Sequence, residues 1–123
     1  EGVMAQRLVR SFCPECRQAW TPDEGDVPAD VPLQRCHAER ITIYRPVGCR
    51  HCRETGYAGR TGLYELLVAD AEIRRLAVER AGANDIKRVA ADRGMRTLRN
   101  DGWEKVLAGE TSIEEVTRVT KAD

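Results

Sequence analysis

Cys49-Arg50-His51-Cys52 repeats the C-x-x-C pattern of Cys13-Pro14-Glu15-Cys16, and residues 17–48 separate the two pairs. Within each pair a tight turn lets both thiolates face one centre, and two such turns supply the four soft ligands that tetrahedral Zn²⁺ prefers. A site closed by four thiolates has no open position for a reacting water, so its metal is structural. The separation is longer than the usual stretch of roughly 15–20 residues, which indicates an insertion. The sequence predicts one structural zinc ion, and no catalytic group, with the ligands Cys13, Cys16, Cys49 and Cys52.

Other uses of these side chains compete with a shared zinc site. A thioredoxin-like redox pair follows a strand and opens a helix in a βαβ unit, and neither pair has that setting. An iron–sulfur cluster takes the same four ligands, but the two knuckle-like turns are more typical of zinc. Cys36 and His37 lie in the insertion, and His51 lies inside the second pair. Cys36 and His37 could form an alternative ligand pair, but because four better-spaced ligands exist, we interpret Cys36 as a spare, reactive thiol and His37 as a surface group. His51 is interpreted as a group that either supports the ligands or faces solvent.

The composition indicates a small domain from a reducing compartment. The chain has 123 residues, and its 20 basic residues balance 20 acidic ones, so no overall charge favours a nucleic-acid partner. No apolar run approaches the roughly 20 residues that span a bilayer, so we expect no direct membrane insertion. Four of the five cysteines are paired in C-x-x-C, which favours a cytoplasmic metal site over a secreted disulfide framework. With one Phe and two Trp, the chain can form only a modest apolar core, which a bound metal would help to stabilise.

The first part of the chain reads as helical. Met4, Leu8 and Phe12 recur every four residues and predict a helix over residues 3–12. The helix should end near Pro14, which lacks a backbone donor. Because the chain opens inside this helix and not at an initiator methionine, we expect the sequence to be a piece of a longer protein.

The middle of the chain reads as loops and short strands. Residues 21–32 contain three prolines and predict an exposed loop or a frayed helical turn. Alternation of side chains predicts a strand over residues 41–47. A glycine-rich, non-helical stretch over residues 48–62 leads into a second strand candidate at residues 63–68.

The last part of the chain reads as a bundle of about four helices. Glycines at 82, 94 and 109 should end the first three. The predicted helices are 71–80 with Asp70 as N-cap, 85–93 with Asn84 as N-cap, 96–107, and one that begins at a capping box of Thr111 and Glu114. Together these elements predict an α+β fold, in which a small tetracysteine zinc-knuckle subdomain with short strands precedes the helices.

Several blocks of the sequence form a recognisable series along the chain. The blocks are Ala5-Gln6-Arg7-Leu8-Val9-Arg10, Cys13-Pro14-x-Cys16, Gly48-Cys49-Arg50-His51-Cys52, Thr55-Gly56-Tyr57-Ala58-Gly59-Arg60-Thr61-Gly62-Leu63-Tyr64-Glu65-Leu66-Leu67, Gly94-Met95-Arg96-Thr97-Leu98, Asp101-Gly102 and Gly109-Glu110-Thr111-Ser112-Ile113-Glu114-Glu115-Val116. This series resembles the C-terminal region of the type II secretion ATPases (the E component) and of their type IV pilus assembly relatives. The blocks keep the order of that family and cover nearly the whole chain, whereas Cys36-His37 and the proline-rich insertion depart from it.

The resemblance implies a zinc-binding subdomain and a helical cap that follow a RecA-like nucleotide-binding core. It divides the chain into a linking helix from that core (1–12), the tetracysteine subdomain (13–68) and a C-terminal helical subdomain (69–123). The parent would be a cytoplasmic, hexameric ATPase, peripheral to the bacterial inner membrane. Its implied partners are inner-membrane platform proteins and neighbouring ATPase subunits. No G-x-x-x-x-G-K-[ST] motif occurs here, so ATP and Mg²⁺ would bind only upstream, and this chain alone is not expected to hydrolyse ATP.

Other functions stay open beside this one. An independent zinc ribbon that binds nucleic acid would use basic clusters such as Arg74-Arg75 and Lys87-Arg88. With balanced charge and few aromatic residues, these clusters read better as solvated helix faces. A redox protein would need an exposed thiolate of low pKa. The resemblance also leaves open whether the parent serves pilus assembly instead of secretion.

Overall fold

The computed structural model describes residues 2–68, 70–80, 82–92 and 94–121 and has an α+β fold. The predicted fold class is confirmed: strands around four close cysteines precede a set of helices. In chain order the elements are β1 (Gly2–Phe12), β2 (Gln18–Trp20), a 3₁₀ turn (Glu24–Asp26), α1 (Leu33–Glu39), β3 (Ile43–Arg45), β4 (Tyr57–Val68), α2 (Ala71–Val78), α3 (Ala83–Asp92), α4 (Leu98–Leu107) and α5 (Ile113–Val119).

Residues 2–12 form a strand, so the helix predicted over residues 3–12 is wrong, and the linking segment 1–12 is not a helix where the structure describes it. β1 pairs with β4 in antiparallel register over nearly its whole length. Side chains four residues apart share one face of a strand as well as one face of a helix. The apolar spacing therefore fits both elements, and pairing with β4, which satisfies the backbone polar groups of both strands, selects the strand.

β4 begins at Tyr57, six residues before the predicted strand, because its glycines suit the strand pairing. Arg10 pairs with Arg60 and Phe12 with Tyr57, so β4 carries one extra residue in a bulge. Gly59 lies in that bulge with a φ of 80°, a conformation that favours glycine. A second, smaller ribbon joins β2 to β3. The β2 strand was not predicted, whereas the strand expected over residues 41–47 is confirmed as β3.

Between β2 and β3 the chain is partly loop, as predicted for residues 21–32. Most side chains there are exposed, and a 3₁₀ turn lies in the middle. The carboxylate of Asp30 fastens the loop to α4, since it accepts hydrogen bonds from the guanidinium of Arg99 and from the indole nitrogen of Trp103 at 3.0 Å. The loop is followed by α1, a helix that was not predicted.

The four predicted helices of the last part are present, with some corrected ends. Asp70 caps α2 as predicted, accepting a hydrogen bond from the Ile73 amide at 2.9 Å. α2 ends at Val78, before Gly82, and Arg80 takes the left-handed conformation there with a φ of 58°. Asn84 lies inside α3 and is not its N-cap. Local capping residues compete closely at these exposed ends, and the prediction chose the wrong one.

Two further helices have glycines at their predicted ends. Gly94, after α3, and Gly109, after α4, have φ angles of 93° and 77°. The N-cap of α5 is Ser112, whose hydroxyl accepts the Glu115 amide, so the capping box predicted at Thr111 and Glu114 is wrong by one residue. The carboxylate of Glu115 instead turns back to β1, which fixes the register of α5.

One apolar core joins both halves of the chain. It is made of side chains from the insertion, β3, α4 and α5: Val31, Leu33, Cys36, Ile43, Trp103, Val106, Leu107, Ile113 and Val116. Gly102 lets α4 approach α5 and β4 closely, because a Cβ there would lie 2.6 Å from Val116 and 3.3 Å from Leu63. Asp101 beside it accepts a hydrogen bond from the Tyr64 amide at 2.9 Å, which holds α4 against β4.

Candidate metal centre

The four cysteines of the two C-x-x-C pairs meet at one point in the structure. The sulfur atoms of Cys13, Cys16, Cys49 and Cys52 all lie within 4.8 Å of one another. The separations are 3.7 Å from Cys13 to Cys49, 3.8 Å from Cys16 to Cys52 and 3.7 Å from Cys49 to Cys52. A disulfide has a sulfur separation of about 2.05 Å, and all five cysteines of the chain are free thiols. The four ligands predicted from the sequence therefore lie close together without forming a disulfide.

These separations fit a single tetrahedral ion. Thiolates at about 2.3 Å from zinc, placed at the corners of a tetrahedron, are about 3.8 Å apart. A cluster of several irons would hold the four sulfurs further apart, because the irons and their bridging sulfides occupy the space between them. The donor set is four soft sulfur atoms, two of them on buried residues. The arrangement can bind one metal ion.

Glycines and backbone amides shape the turns around the sulfur atoms. The amide of Gly56 donates to the sulfur of Cys52 at 3.1 Å, the amide of Cys49 donates to the same atom at 3.2 Å, and the amide of Gly48 donates to Cys16 at 3.4 Å. Gly48 and Gly56 have φ angles of 113° and 85°. A Cβ on Gly56 would lie 2.5 Å from the Cβ of Pro46, so no larger residue fits there. Both glycines flank the second C-x-x-C pair in the sequence, and that position could have identified them as residues that shape the site.

The surroundings spread the thiol pKa values apart. Burial raises the pKa of Cys52, but the amide donors of Gly56 and Cys49 and the neighbouring thiols outweigh it and lower that pKa to about 6. The amide of Cys52 lowers the pKa of Cys49, but burial and hydrogen bonds with the other thiols outweigh it and raise that pKa to about 11. Negative charge therefore collects first at Cys52. Four thiolates repel one another, and a divalent cation offsets that repulsion, since coordination deprotonates a thiol outright.

The other candidate ligands lie outside this group. Among the described residues, Cys36 and the two histidines are not part of any metal-binding cluster. His37 is exposed, as interpreted from the sequence, and His51 is exposed as well. Cys36 faces the apolar core in α1, and burial raises its pKa, so the thiol is less accessible and less easily ionised than a readily reactive thiol would be.

The basic clusters that would serve a nucleic-acid partner are partly neutralised within the chain. Arg75 pairs with Glu79, and Arg88 pairs with Asp85, both at 3.1 Å. Lys87 lies 3.6 Å from Glu65 on β4. These ion pairs agree with the interpretation of the clusters as helix faces. Within the part of the chain that the structure describes, no helix combines the length and the apolar character needed to cross a membrane.

One face of the β1–β4 ribbon is apolar and exposed. The side chains of Met4 and Leu66 are 63% and 55% exposed, although they lie directly opposite each other in the ribbon. Leu8, Tyr64 and Val68 continue the same face. We call these five side chains the ribbon face. Large apolar side chains gathered on one surface are typical of a contact with another protein surface.

Comparison with known proteins gives the chain a family. Residues 1–118 match the family described as "Type II/IV secretion system protein". The chain is 43% identical over 122 residues to the type II secretion system protein E of Dickeya dadantii, covering 99% of this chain and 23% of that protein. It is 42% identical over 125 residues to the type IV pilus assembly ATPase TfpB of Acinetobacter baylyi, covering 96% of this chain and 20% of that protein.

A third relative extends the comparison to a distant bacterium. The chain is 42% identical over 115 residues to the type IV pilus assembly ATPase PilB of Thermus thermophilus, covering 94% of this chain and 13% of that protein. The chain thus spans about a quarter or less of the length of these relatives. With nearly all of its residues matched, this chain belongs to the type II/IV secretion system protein family.

Proposed function

We propose that Cys13, Cys16, Cys49 and Cys52 bind one structural Zn²⁺, and that this region is the structural and coupling domain of a secretion ATPase that powers type II protein secretion. The observation that carries the proposal is the grouping of four cysteine sulfurs within 4.8 Å of one another in a chain of the secretion family. Zinc suits the site because its d¹⁰ shell imposes no geometry of its own and takes four thiolates readily. The ion would fasten the end of β1 to the turn before β4, across the insertion.

The parent protein is proposed from the relatives. The relatives include type IV pilus assembly ATPases, and the chain accounts for a small part of their length. We propose that ATP and Mg²⁺ bind in another part of the parent, that the parent is a hexamer in the cytoplasm, and that it docks on inner-membrane platform proteins. The division into residues 1–12, 13–68 and 69–123 stays a prediction, and residues 2–12 of the first segment form a strand.

The ribbon face gives the proposed partners a place to bind. Its five side chains are apolar and exposed, and they lie on β1 and β4, which extend from the metal centre. Burial of such side chains contributes about 25 cal/mol for each Å² removed from water. We propose that this face contacts a neighbouring ATPase subunit or another part of the parent.

The zinc proposal is tested by elemental analysis of the parent protein purified without added metal. We expect about one zinc per chain beyond any metal bound elsewhere. The Cys49→Ser variant should lose this ion, whereas the Cys36→Ser variant, with its thiol outside the site, should keep it. Equal zinc in the wild type and the Cys49→Ser variant would contradict the site.

The coupling role is tested in cells that secrete through this system. Cys49→Ser in the full-length protein should abolish secretion while the protein still binds ATP, because the nucleotide site is elsewhere. Cys36→Ser serves as the matched control and should secrete normally. Normal secretion by a Cys49→Ser protein that has lost zinc would show that the secretion ATPase does not need the metal.

A role in type IV pilus assembly is the second candidate. The pilus ATPase of Acinetobacter baylyi and the secretion protein of Dickeya dadantii match this chain at 42% and 43% identity, so identity does not separate the two systems. Deletion of the parent gene decides between them. Loss of surface pili with normal export of folded proteins would assign the parent to pilus assembly.

A further inference from the structure

We propose that the hydroxyl group of Tyr57 couples the metal centre to helix α5, so that metal binding sets the stability of the first turn of that helix. The proposal rests on the proposed zinc site and adds a path by which the centre acts on the C-terminal helices. The path has three links: from Cys52 to Gly56, from Tyr57 to Ser112, and from Ser112 into α5.

The first link fixes Gly56 to both cysteine pairs. Its amide donates to the sulfur of Cys52 at 3.1 Å, and its carbonyl accepts the amide of Cys13 at 2.9 Å. Gly56 is buried, and its positive φ packs it closely against Pro46. A shift of either cysteine therefore displaces Gly56 and the residue that follows it.

The second link carries that position to the start of α5. The ring of Tyr57 stacks on Phe12 with a centroid separation of 5.9 Å, and the guanidinium of Arg10 lies 4.2 Å above it. The hydroxyl of Tyr57 lies 2.7 Å from the hydroxyl of Ser112, and both side chains are buried. A ring held by these two contacts has little freedom to keep its hydrogen bond to Ser112 if its backbone moves.

The third link is the N-cap of α5. The hydroxyl oxygen of Ser112 accepts the amide of Glu115 at 3.1 Å. A serine oxygen has two lone pairs, so it can accept from Tyr57 and from the Glu115 amide at the same time. Together the two bonds hold the Ser112 oxygen in position to accept the Glu115 amide, and an N-cap of this kind stabilises the first turn of the helix.

Other contacts also bind the α4–α5 turn to β1, so the test must isolate one hydroxyl. The amide of Phe12 donates to the carbonyl of Glu110 at 2.9 Å, and Thr111 donates to the carbonyl of Arg10 at 2.6 Å. Tyr57→Phe removes the hydroxyl and leaves these contacts and the ring stack in place. Tyr44→Phe is the matched control, because it makes the same change on a ring that also packs against Phe12 and whose hydroxyl has no hydrogen bond to the described residues.

The experiment measures amide hydrogen exchange in the zinc-loaded parent protein, with zinc content determined for each sample. In the Tyr57→Phe variant we expect exchange in residues 115–119 to rise about fivefold, which is the effect of one net hydrogen bond on a local opening. Zinc content and exchange in α2 should not change. Tyr44→Phe should match the wild type in all helices. Unchanged exchange in α5 of a zinc-loaded Tyr57→Phe variant would overturn the proposal.

Removal of the metal completes the test. After chelation, exchange in α5 of the wild type should rise to the level of the Tyr57→Phe variant, and the two proteins should no longer differ, because the centre no longer positions the hydroxyl. Protection in α2 and α3 should persist. Equal loss of protection in all helices would mean global unfolding and would also overturn the proposal. A wild type that binds no zinc contradicts the proposed function instead.

Discussion

The four-cysteine centre and the α4–α5 pair hold the chain together by different means. Around the centre, the turns of residues 14–16 and 50–54 are mostly exposed, and only the cysteines Cys13 and Cys52 are buried. In α4 and α5, Trp103, Val106 and Val116 are almost completely buried. The helices are closed by apolar packing, which needs no ligand, whereas the turns have no apolar core of their own.

The difference gives a physical reason for the metal that we propose at the centre. A side chain removed from water stabilises a fold in proportion to its apolar area, and short turns offer little such area. Bonds from the turns to a metal ion stabilise the same short segment far more than apolar burial does. For structural zinc in small peptides they supply about 10–16 kcal/mol. We therefore expect the two regions to respond differently to substitution.

The largest effect is expected at the centre. Cys52→Ser removes the thiolate that accepts two backbone amides and leaves three ligands for the ion. Since the free energy of zinc binding is as large as the stability of a whole domain, about 5–15 kcal/mol, the turns should unfold. Elemental analysis and thermal unfolding measure the outcome. Cys36→Ser is the control: it should keep its zinc and lose far less stability.

The second effect is expected in the apolar core. Trp103→Ala leaves a cavity between α4 and the insertion and removes a donor from Asp30, so the free energy of unfolding should fall by about 3–5 kcal/mol. Chemical denaturation measures the loss. Folded molecules of the variant should still carry one zinc, because no ligand is touched. Loss of zinc from a folded Trp103→Ala variant would show that the four-cysteine centre depends on the apolar core for its geometry.

An intermediate effect is expected at the buried charge that joins α5 to β1. Burial raises the pKa of Glu115, but hydrogen bonds from Arg118 and from the side chain and amide of Arg10 outweigh it and lower that pKa to about 2. Glu115→Gln should lower the free energy of unfolding by about 2–3 kcal/mol near neutral pH. Glu114→Gln, the same change one position earlier at an exposed side chain, should have little effect.

The pH dependence of this loss follows from the sign of the shift. The folded pKa of Glu115 lies below the value of about 4.3 for glutamate in an unfolded chain, so its stabilisation is fully present above that pH and is lost as the pH falls towards 2. The difference between the wild type and Glu115→Gln should narrow below about pH 4. Both proteins carry the same metal site, so acid release of zinc cancels in the comparison. A difference that stays constant to pH 3 would exclude the charged carboxylate as its cause.

The smallest effect is expected at an exposed ion pair. Arg75 and Glu79 are both more than half exposed, one turn apart on α2. Arg75→Ala should change the free energy of unfolding by less than about 0.5 kcal/mol, and less still at high salt. Set beside Glu115, this variant separates the effect of burial from that of charge. A loss of several kcal/mol would mean that α2 has contacts of another kind at this position.

Much of the helical half was predictable because its information is local. Asp70, Gly94 and Gly109 mark helix ends through their own backbone and side-chain chemistry, and all three lie where the sequence placed them. The error at Thr111 is a single-step choice between neighbouring hydroxyl residues, whereas α3 begins at Ala83, two residues before its predicted start. α1 escaped prediction because Leu33 and Cys36 supply only one turn of apolar spacing.

The candidate ligands were predictable from spacing alone, because four soft donors in two short turns admit few other arrangements. The sequence by itself determined which four cysteines are the candidate ligands, the α+β class and most helix ends. Only the tertiary structure decided that β1 is a strand, since a four-residue repeat fits a strand and a helix equally until a partner strand is present. The tertiary structure also placed Tyr57 on Ser112 and Glu115 on Arg10. Those contacts join residues far apart in the chain, and no local pattern encodes them.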